Sequence, residues 1–275
     1  MTFALSTNWC NRRLVSGEEI ADLALSLGFD ELELGFRTNE AEVAGYRRRL
    51  DVMPVGSVHA FCPVPLSAPG GHPELYLFAD PDEEAYRMAR FQLEKNLAFA
   101  ADLGADALVL HAGRVKCDSF FKARRLAKRR RNGRKTLGFF KPRLEALVPV
   151  LEKFRIVLGL ENLPYLEGFP DAEEMAELTG PWVKPWFDTG HAFVMNAPAP
   201  AEALGLHVND SVGGDDHLAP GAGKIDFTAY KDLAAKARHR VFEPAESVGA
   251  EELSRALAFL RSLWENPHDP DPTDR

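Results

Sequence analysis

Short apolar runs of strand length recur along this chain, separated by longer stretches with helical periodicity. They lie near residues 3–7, 30–35, 55–60, 106–111, 156–161, 183–188, 204–209 and 239–243. Helical patterns fall near 17–27, 39–50, 82–103, 136–154, 171–179, 226–237 and 249–264, with a weaker one near 198–203. Strands alternating with helices imply a parallel sheet, and eight strands is the number that closes a βα barrel. An internal echo agrees: "LGFDELEL" (27–34) and "LGADALVL" (103–110) each read as a glycine ending a helix, a turn and a buried strand.

The length of 275 residues suits such a barrel as one unit, and no Pro/Gly/Ser linker divides it. The expected fold is therefore α/β, a single (β/α)8 TIM barrel over residues 1–264. The Pro- and Asp-rich segment 265–275 is expected to be a disordered tail. "MTFALSTNWCNRR" has no basic segment leading into a long apolar stretch, and no run approaches the roughly 18 apolar residues of a membrane span. Cys10, Cys62 and Cys117 are an odd, widely spaced set. They fit small buried hydrophobes in a reducing, cytoplasmic protein better than a disulfide framework.

Metal-ligating residue types sit at or just after the ends of these runs. They are His59, His111, Glu161, Asp188, His191, His207, Asp215, His217 and Glu243. Side chains at one end of successive parallel strands converge in space, and in a βα barrel that end carries the chemistry. Carboxylates and imidazoles together offer the donors that zinc, manganese or iron accept. Each has a plainer reading when taken alone. Asp188 in "FDTGH" is a turn residue before a helix-start His191, His207 a hydrogen-bonded core histidine, and Glu161 or Glu243 half of an ion pair. Those readings weaken because the pattern repeats from strand to strand. An ionised carboxylate with apolar flanks is costly to bury without a partner or a metal.

Gly221 and Gly223, in "DDHLAPGAGKIDF", would let backbone approach a ligand closely, as in a phosphate cradle. Glu33 reads equally as a pocket residue and as a polar plug in the barrel. Trp9, Phe61, Trp186 and Phe193 would wall a ligand pocket or simply pack. Net charge is −8, which argues against a general nucleic-acid binder, yet residues 122–135 hold nine basic residues and no acid. That run reads first as a solvated loop or exposed helix, and second as an anion-collecting flap over the catalytic face.

With "LENLP", "FDTGHAF" and "LHVNDS…DDHLAPGAGKIDF" in view, the chain resembles the xylose-isomerase-like TIM-barrel superfamily across nearly its whole length. That superfamily holds sugar isomerases and epimerases together with class II apurinic endonucleases. Resemblance to the epimerases implies a metal site of Glu161, Asp188, His207 and Glu243, with Glu161 and Glu243 also the catalytic acid/base pair. It implies substrate contacts from His191 and from Glu167. The arginine that follows the metal histidine in some epimerases is missing from "VNDSVGGDD". Resemblance to the endonucleases implies a three-metal cluster held by all nine ligands, including His59, His111, Asp215 and His217. The stretch "ALSTNWCNRR" departs from their pattern.

The favoured expectation is a divalent-metal-dependent isomerase or epimerase (Mn2+ or Zn2+, one to three per chain). It would act on a small sugar, sugar phosphate or related polyhydroxy carbonyl compound. A multinuclear-metal phosphoester hydrolase of the apurinic endonuclease type is the alternative, and a binding module without activity is a third. The expected partner is a carbohydrate-like small molecule, with nucleic acid less favoured, no membrane, and homo-oligomer formation left open.

Overall fold

The computed structural model describes residues 1–10, 16–214 and 216–265. Its eight barrel strands are β1 (Ala4–Ser6), β2 (Glu31–Leu34), β3 (Val55–His59), β4 (Ala107–Leu110), β5 (Val157–Glu161), β6 (Val183–Asp188), β7 (Gly205–Val208) and β8 (His239–Phe242). All pair in parallel with their sequence neighbours, and β8 closes on β1 through Ala4 opposite Val241. The eight expected strands are these, each within one or two residues at its ends. A further pair of two-residue strands, Gly113–Arg114 and Gly168–Phe169, runs antiparallel across the mouth.

Helix starts follow the capping chemistry written in the sequence. Ser16, Asn39 and Asp171 each accept from the backbone N–H three residues on. In return Glu19, Glu42 and Glu174 accept from the cap residue's own N–H. The helices are α1 (Gly17–Ser26), α2 (Glu40–Arg47), α3 (Glu83–Asp102), α4 (Lys122–Glu145), α5 (Val148–Phe154), α6 (Ala172–Leu178), α7 (Thr189–Met195), α8 (Lys231–Lys236) and α9 (Ala250–Glu265).

Three expectations are corrected. The helix expected at 136–154 is two helices: α4 starts at Lys122 and ends at Glu145, and Pro149, pre-set for a first turn, opens α5. No helix forms at 198–203, where Pro198 and Pro200 carry no N–H to donate. The short α7, outside the expected helix ranges although His191 also read as a helix start, begins at Thr189 because the Asp188 carboxylate caps it, accepting from His191 N at 2.7 Å. Near 226–237 the helix is preceded by a 3-10 turn, Phe227–Tyr230.

The basic run is helical. Arg125, Arg129 and Arg134 are paired with Glu167, Glu174 and Glu177, and most of the other cations face outward. The proposed tail is described only through Glu265, which ends α9; 266–275 lie outside the described residues.

Side chains alternate faces along a strand, so residues two apart share the barrel's inside. A buried inner cluster of Ala4, Ala107, Val109, Trp186, Leu204 and Val241 fills the middle. Trp186 is fully buried, so it is barrel filling and not a sugar wall. It lies over Gly159 and Gly205, where an added Cβ would come within 2.8 and 2.5 Å of the indole. Two residues beyond this layer stand Glu161, Asp188, His207 and Glu243, with His111 two beyond Val109 and His59 two beyond Ser57. The strand period alone sets them as one layer, at the C-terminal mouth.

Candidate metal centre

One donor atom from each of Glu161, Asp188, His207 and Glu243 lies within 4.8 Å of the others, and all four residues are buried. His207 Nδ1 is the hub, 3.2 Å from both Glu161 Oε1 and Glu243 Oε2 and 4.0 Å from Asp188 Oδ2. These carboxylates have imidazole, amide or backbone N–H partners among the described residues, and no Lys or Arg.

Surrounding residues fix each ligand. His207 Nε2 meets Glu33 Oε1 at 3.0 Å, and Ser57 Oγ donates to the other Glu33 oxygen at 2.8 Å. Asn8 Nδ2 donates to Glu243 Oε1 (3.1 Å), and Asn209 Nδ2 to Asp188 Oδ2 (2.7 Å). Asn162 ties the ends of β5 and β6, accepting from Asp188 N and donating to Asp188 O. Such outer partners orient metal ligands and set their basicity. Glu33 is thus the buried plug of its two readings, with a purpose: it steers His207. Asn8, Ser57, Asn162 and Asn209 were missed by sequence reasoning. Asn8 and Asn209 were findable, since each follows an inward strand residue by two.

Burial would push the Glu161 carboxyl up, but the His207 and His111 imidazoles beside it hold it well below the usual carboxylate range. Burial would lower His207, and Glu243, Glu33 and Glu161 raise it well above the ordinary imidazole value. Burial raises Asp188, and the nearby His191 and His217 only partly offset it. For Glu243 burial pushes the carboxyl up, and the His207, His217 and His59 imidazoles together outweigh it, leaving a net lowering. Glu161 Oε1 and His207 Nδ1 nevertheless lack a well-directed hydrogen bond. Two buried donor atoms aimed at one spot, in a set of three carboxylates and one imidazole, fit a divalent cation. Ligands about 2.0–2.2 Å from a shared ion need little movement from these positions.

Other expected ligands surround the quartet. His59 Nε2 and His111 Nε2 lie 3.2 and 3.1 Å from Glu161 Oε2, and two further donor groupings, His59–His207–Glu243 and His59–His111–Glu161, overlap the first. His191 Nδ1 is 2.8 Å from Asn162 O and 3.4 Å from Glu161 Oε1. His217 is held in a left-handed backbone conformation (φ 46°), with Nδ1 2.8 Å from Glu243 O. Asp215 lies outside the described residues.

Glu167 does not line the cleft. Its carboxylate is paired with Arg125 and lies 3.5 Å from Cys117 Sγ, beside the mouth hairpin. The cradle reading of Gly221 and Gly223 is corrected too, because those amides and Ile225 N donate to the chain's own Asp210 carboxylate. Trp9 and Phe61 are buried in the core, and Phe193 packs against it. All three cysteines are buried, and none forms a disulfide among the described residues.

The cleft above the donors has a volume of about 260 Å³. His59, His111, His191, His217, Glu161 and Glu243 form its inner wall, and Phe36, His72, Pro73, Glu74, Arg114, Pro164 and Tyr165 its outer part. No residue of α4 reaches it, so the flap reading of the basic run finds no support. The scale is that of a small-molecule site.

Residues 21–263 match the xylose isomerase-like TIM barrel family. The chain belongs to that family. Solved structures agree in fold. This xylose isomerase-like barrel superposes on a D-tagatose 3-epimerase-like protein with a TM-score of 0.69 and 19% identity, over 96% of this chain and 97% of the other. It superposes on the D-psicose 3-epimerase from Clostridium cellulolyticum, solved with D-tagatose, with a TM-score of 0.66 and 15% identity, over 96% and 99%. For a Thermus thermophilus protein soaked with ZnCl2, the values are 0.60 and 23%, over 98% and 99%. A sequence search of curated proteins gave no match. No described helix is long and apolar enough to cross a membrane.

Proposed function

We propose that this protein is a divalent-metal-dependent isomerase or epimerase that moves a proton between or on carbons of a small polyhydroxy carbonyl compound. The observation that carries the reading is the buried quartet, in which Glu161 and Glu243, three strands apart around the barrel, flank Asp188 and His207. These four residues would hold the cation, and when bound it supplies Lewis-acid polarisation of neighbouring substrate oxygens. The sugar epimerases among the structural neighbours add support at the level of the family.

The protein's own groups do the rest. Glu161, kept ionised by the His207 and His111 imidazoles, takes the proton from the carbon next to the carbonyl. Glu243, its Oε1 fixed by Asn8, serves as the second proton carrier from the other side. His191 at the cleft wall, its Nδ1–H donating to Asn162 O, offers Nε2 to accept from a substrate hydroxyl. The buried floor, sealed by Trp186, keeps bulk water from the site beneath the substrate. Solvent deuterium incorporation into a panel of ketoses by the metal-replete protein tests this. Exchange at a carbon adjacent to the carbonyl is expected, and its absence across the panel counts against the reading.

A second reading has its own observation. The overlapping groupings around His59 and His111 offer donors for more than one ion, the arrangement a multinuclear phosphoester hydrolase requires. Metal analysis separates the two: about one zinc or manganese per chain supports the isomerase, and two or three support the hydrolase.

A further inference from the structure

Across the cleft from the metal donors, three side chains from separate loops lock together. Arg114 directs both Nε (2.7 Å) and Nη2 (2.5 Å) at Glu74 Oε2, Tyr165 donates its hydroxyl to Glu74 Oε1, and the guanidinium lies over the Tyr165 ring at 4.2 Å. Glu74 is nearly buried in this clamp, at 7% side-chain exposure. Arg114 is the one Lys or Arg among the described residues lining the cleft. Its charge is therefore matched at the point where the outer part of a ligand would rest.

The inner end is no more welcoming to an anion. Four carboxylates, Glu33, Glu161, Asp188 and Glu243, gather around His207. A single divalent ion offsets half of that formal charge. A phosphoryl group carries close to two negative charges at neutral pH. It needs donors that are not already committed to a carboxylate. Neutral hydroxyls face no such demand: the remaining guanidinium N–H groups donate to them, and the clamp's carboxylate accepts from them.

We propose that the Glu74–Arg114–Tyr165 clamp sets the charge class of the substrate. The cleft takes an uncharged polyhydroxy carbonyl compound and discriminates against its phosphorylated counterpart. This rests on the isomerase reading and narrows it. Glu74 is the specificity-determining residue, because it withholds the cation that a phosphate would otherwise find.

The test uses the full-length protein loaded with manganese, with inorganic phosphate and fructose 6-phosphate as probes and 31P line broadening as readout. Broadening requires approach to the bound ion, so it reads occupancy of the cleft independently of turnover. Wild-type protein is expected to broaden neither probe beyond a control in which the buried metal-donor candidate His207 is replaced by alanine. Glu74→Gln, which frees Arg114 and keeps the side-chain shape, is expected to raise apparent phosphate affinity about tenfold or more. Tyr165→Phe, which leaves the ion pair in place, is expected to keep the exclusion. Strong broadening by the wild-type protein overturns the proposal whether or not a variant folds, as does a Glu74→Gln protein no different from wild type. The ketose exchange assay is separate, so failure of the isomerase reading and failure of the charge assignment give different results.

Discussion

Each end of the barrel carries a histidine set among carboxylates, with Trp186 between the two. Its indole lies edge-on to His207 at 5.3 Å and stacks on His239 at 5.7 Å. At the closed end His239 Nε2 meets Asp106 Oδ1 at 2.8 Å, and Arg238 pairs with the same aspartate. Glu31 stands nearby, its carboxyl raised by burial and only partly lowered by His239. At the mouth, His207 faces Glu33, Glu161 and Glu243 with no guanidinium or ammonium among the described partners. The residue types are alike, and the balance of charge is opposite. A partly exposed carboxylate answered by arginine needs nothing further, whereas buried carboxylates answered by imidazoles and neutral donors, with no arginine or lysine among the described residues, call for a cation from outside.

The hardest blow to that contrast falls on the mouth. Glu161→Gln removes the proposed metal donor and proton carrier together, and turnover is expected to fall by about 10²–10⁴-fold, the range of a lost general base. Bound metal, measured by atomic emission after gel filtration, should fall with it. Retention of full metal and full activity would place the centre elsewhere. Glu33→Gln is subtler, since it keeps every ligand and weakens only the carboxylate behind His207 Nε2. Metal affinity is expected to drop about 10–100-fold, as for other second partners of ligating histidines. Competition against a fluorescent chelator reads that change.

How far the sequence foretold these residues follows from what each one depends on. The strands and their order were legible because apolar runs of strand length, bounded by turn residues, recur at βα spacing. His59, His111, Glu161, Asp188, His207 and Glu243 were legible because a strand end fixes a side chain's place in a barrel without knowledge of any contact. Glu167 was carried over by resemblance, and its position beside Arg125 depends on how the mouth hairpin seats against α4, a tertiary fact with no local signal. The clamp of Glu74, Arg114 and Tyr165 joins loops up to 91 residues apart, which no spacing announces. Helix α7 lay outside the expected helix ranges because Asp188 serves twice, as cap and as a member of the candidate metal quartet, and a seven-residue helix is too short to show periodicity.

Protons sharpen the contrast further. In the metal-free protein His207 is raised well above its ordinary value, so it holds a proton that a cation must displace. Metal affinity is therefore expected to strengthen up to about tenfold per pH unit for each proton expelled, levelling off above the raised value. Stability of the metal-free fold runs the other way. A raised histidine adds stability that is fully present below about pH 6.5, its unfolded value, and lost as pH climbs through the folded one. Calorimetric titration with zinc in two buffers of different ionisation enthalpy counts the released protons. A count of zero would mean that His207 is already neutral and that the hub is misassigned.

The smallest effect belongs to the closed end, and its smallness is the point. Asp106→Asn breaks the pairing with Arg238 and His239, on groups where the arginine is 62% and the aspartate 29% exposed. Solvent already screens such a pair, so the cost is expected to stay within about 1 kcal/mol. A chain of this size would lose roughly 2–4 °C in melting temperature for that cost. Metal content and turnover should be untouched, because Trp186 and the apolar layer separate this aspartate from the quartet. Thermal unfolding and metal analysis on the same preparation decide it. Loss of metal on Asp106→Asn would show that the two ends communicate through the barrel filling, and that their likeness in composition reflects one linked network instead of two independent clusters.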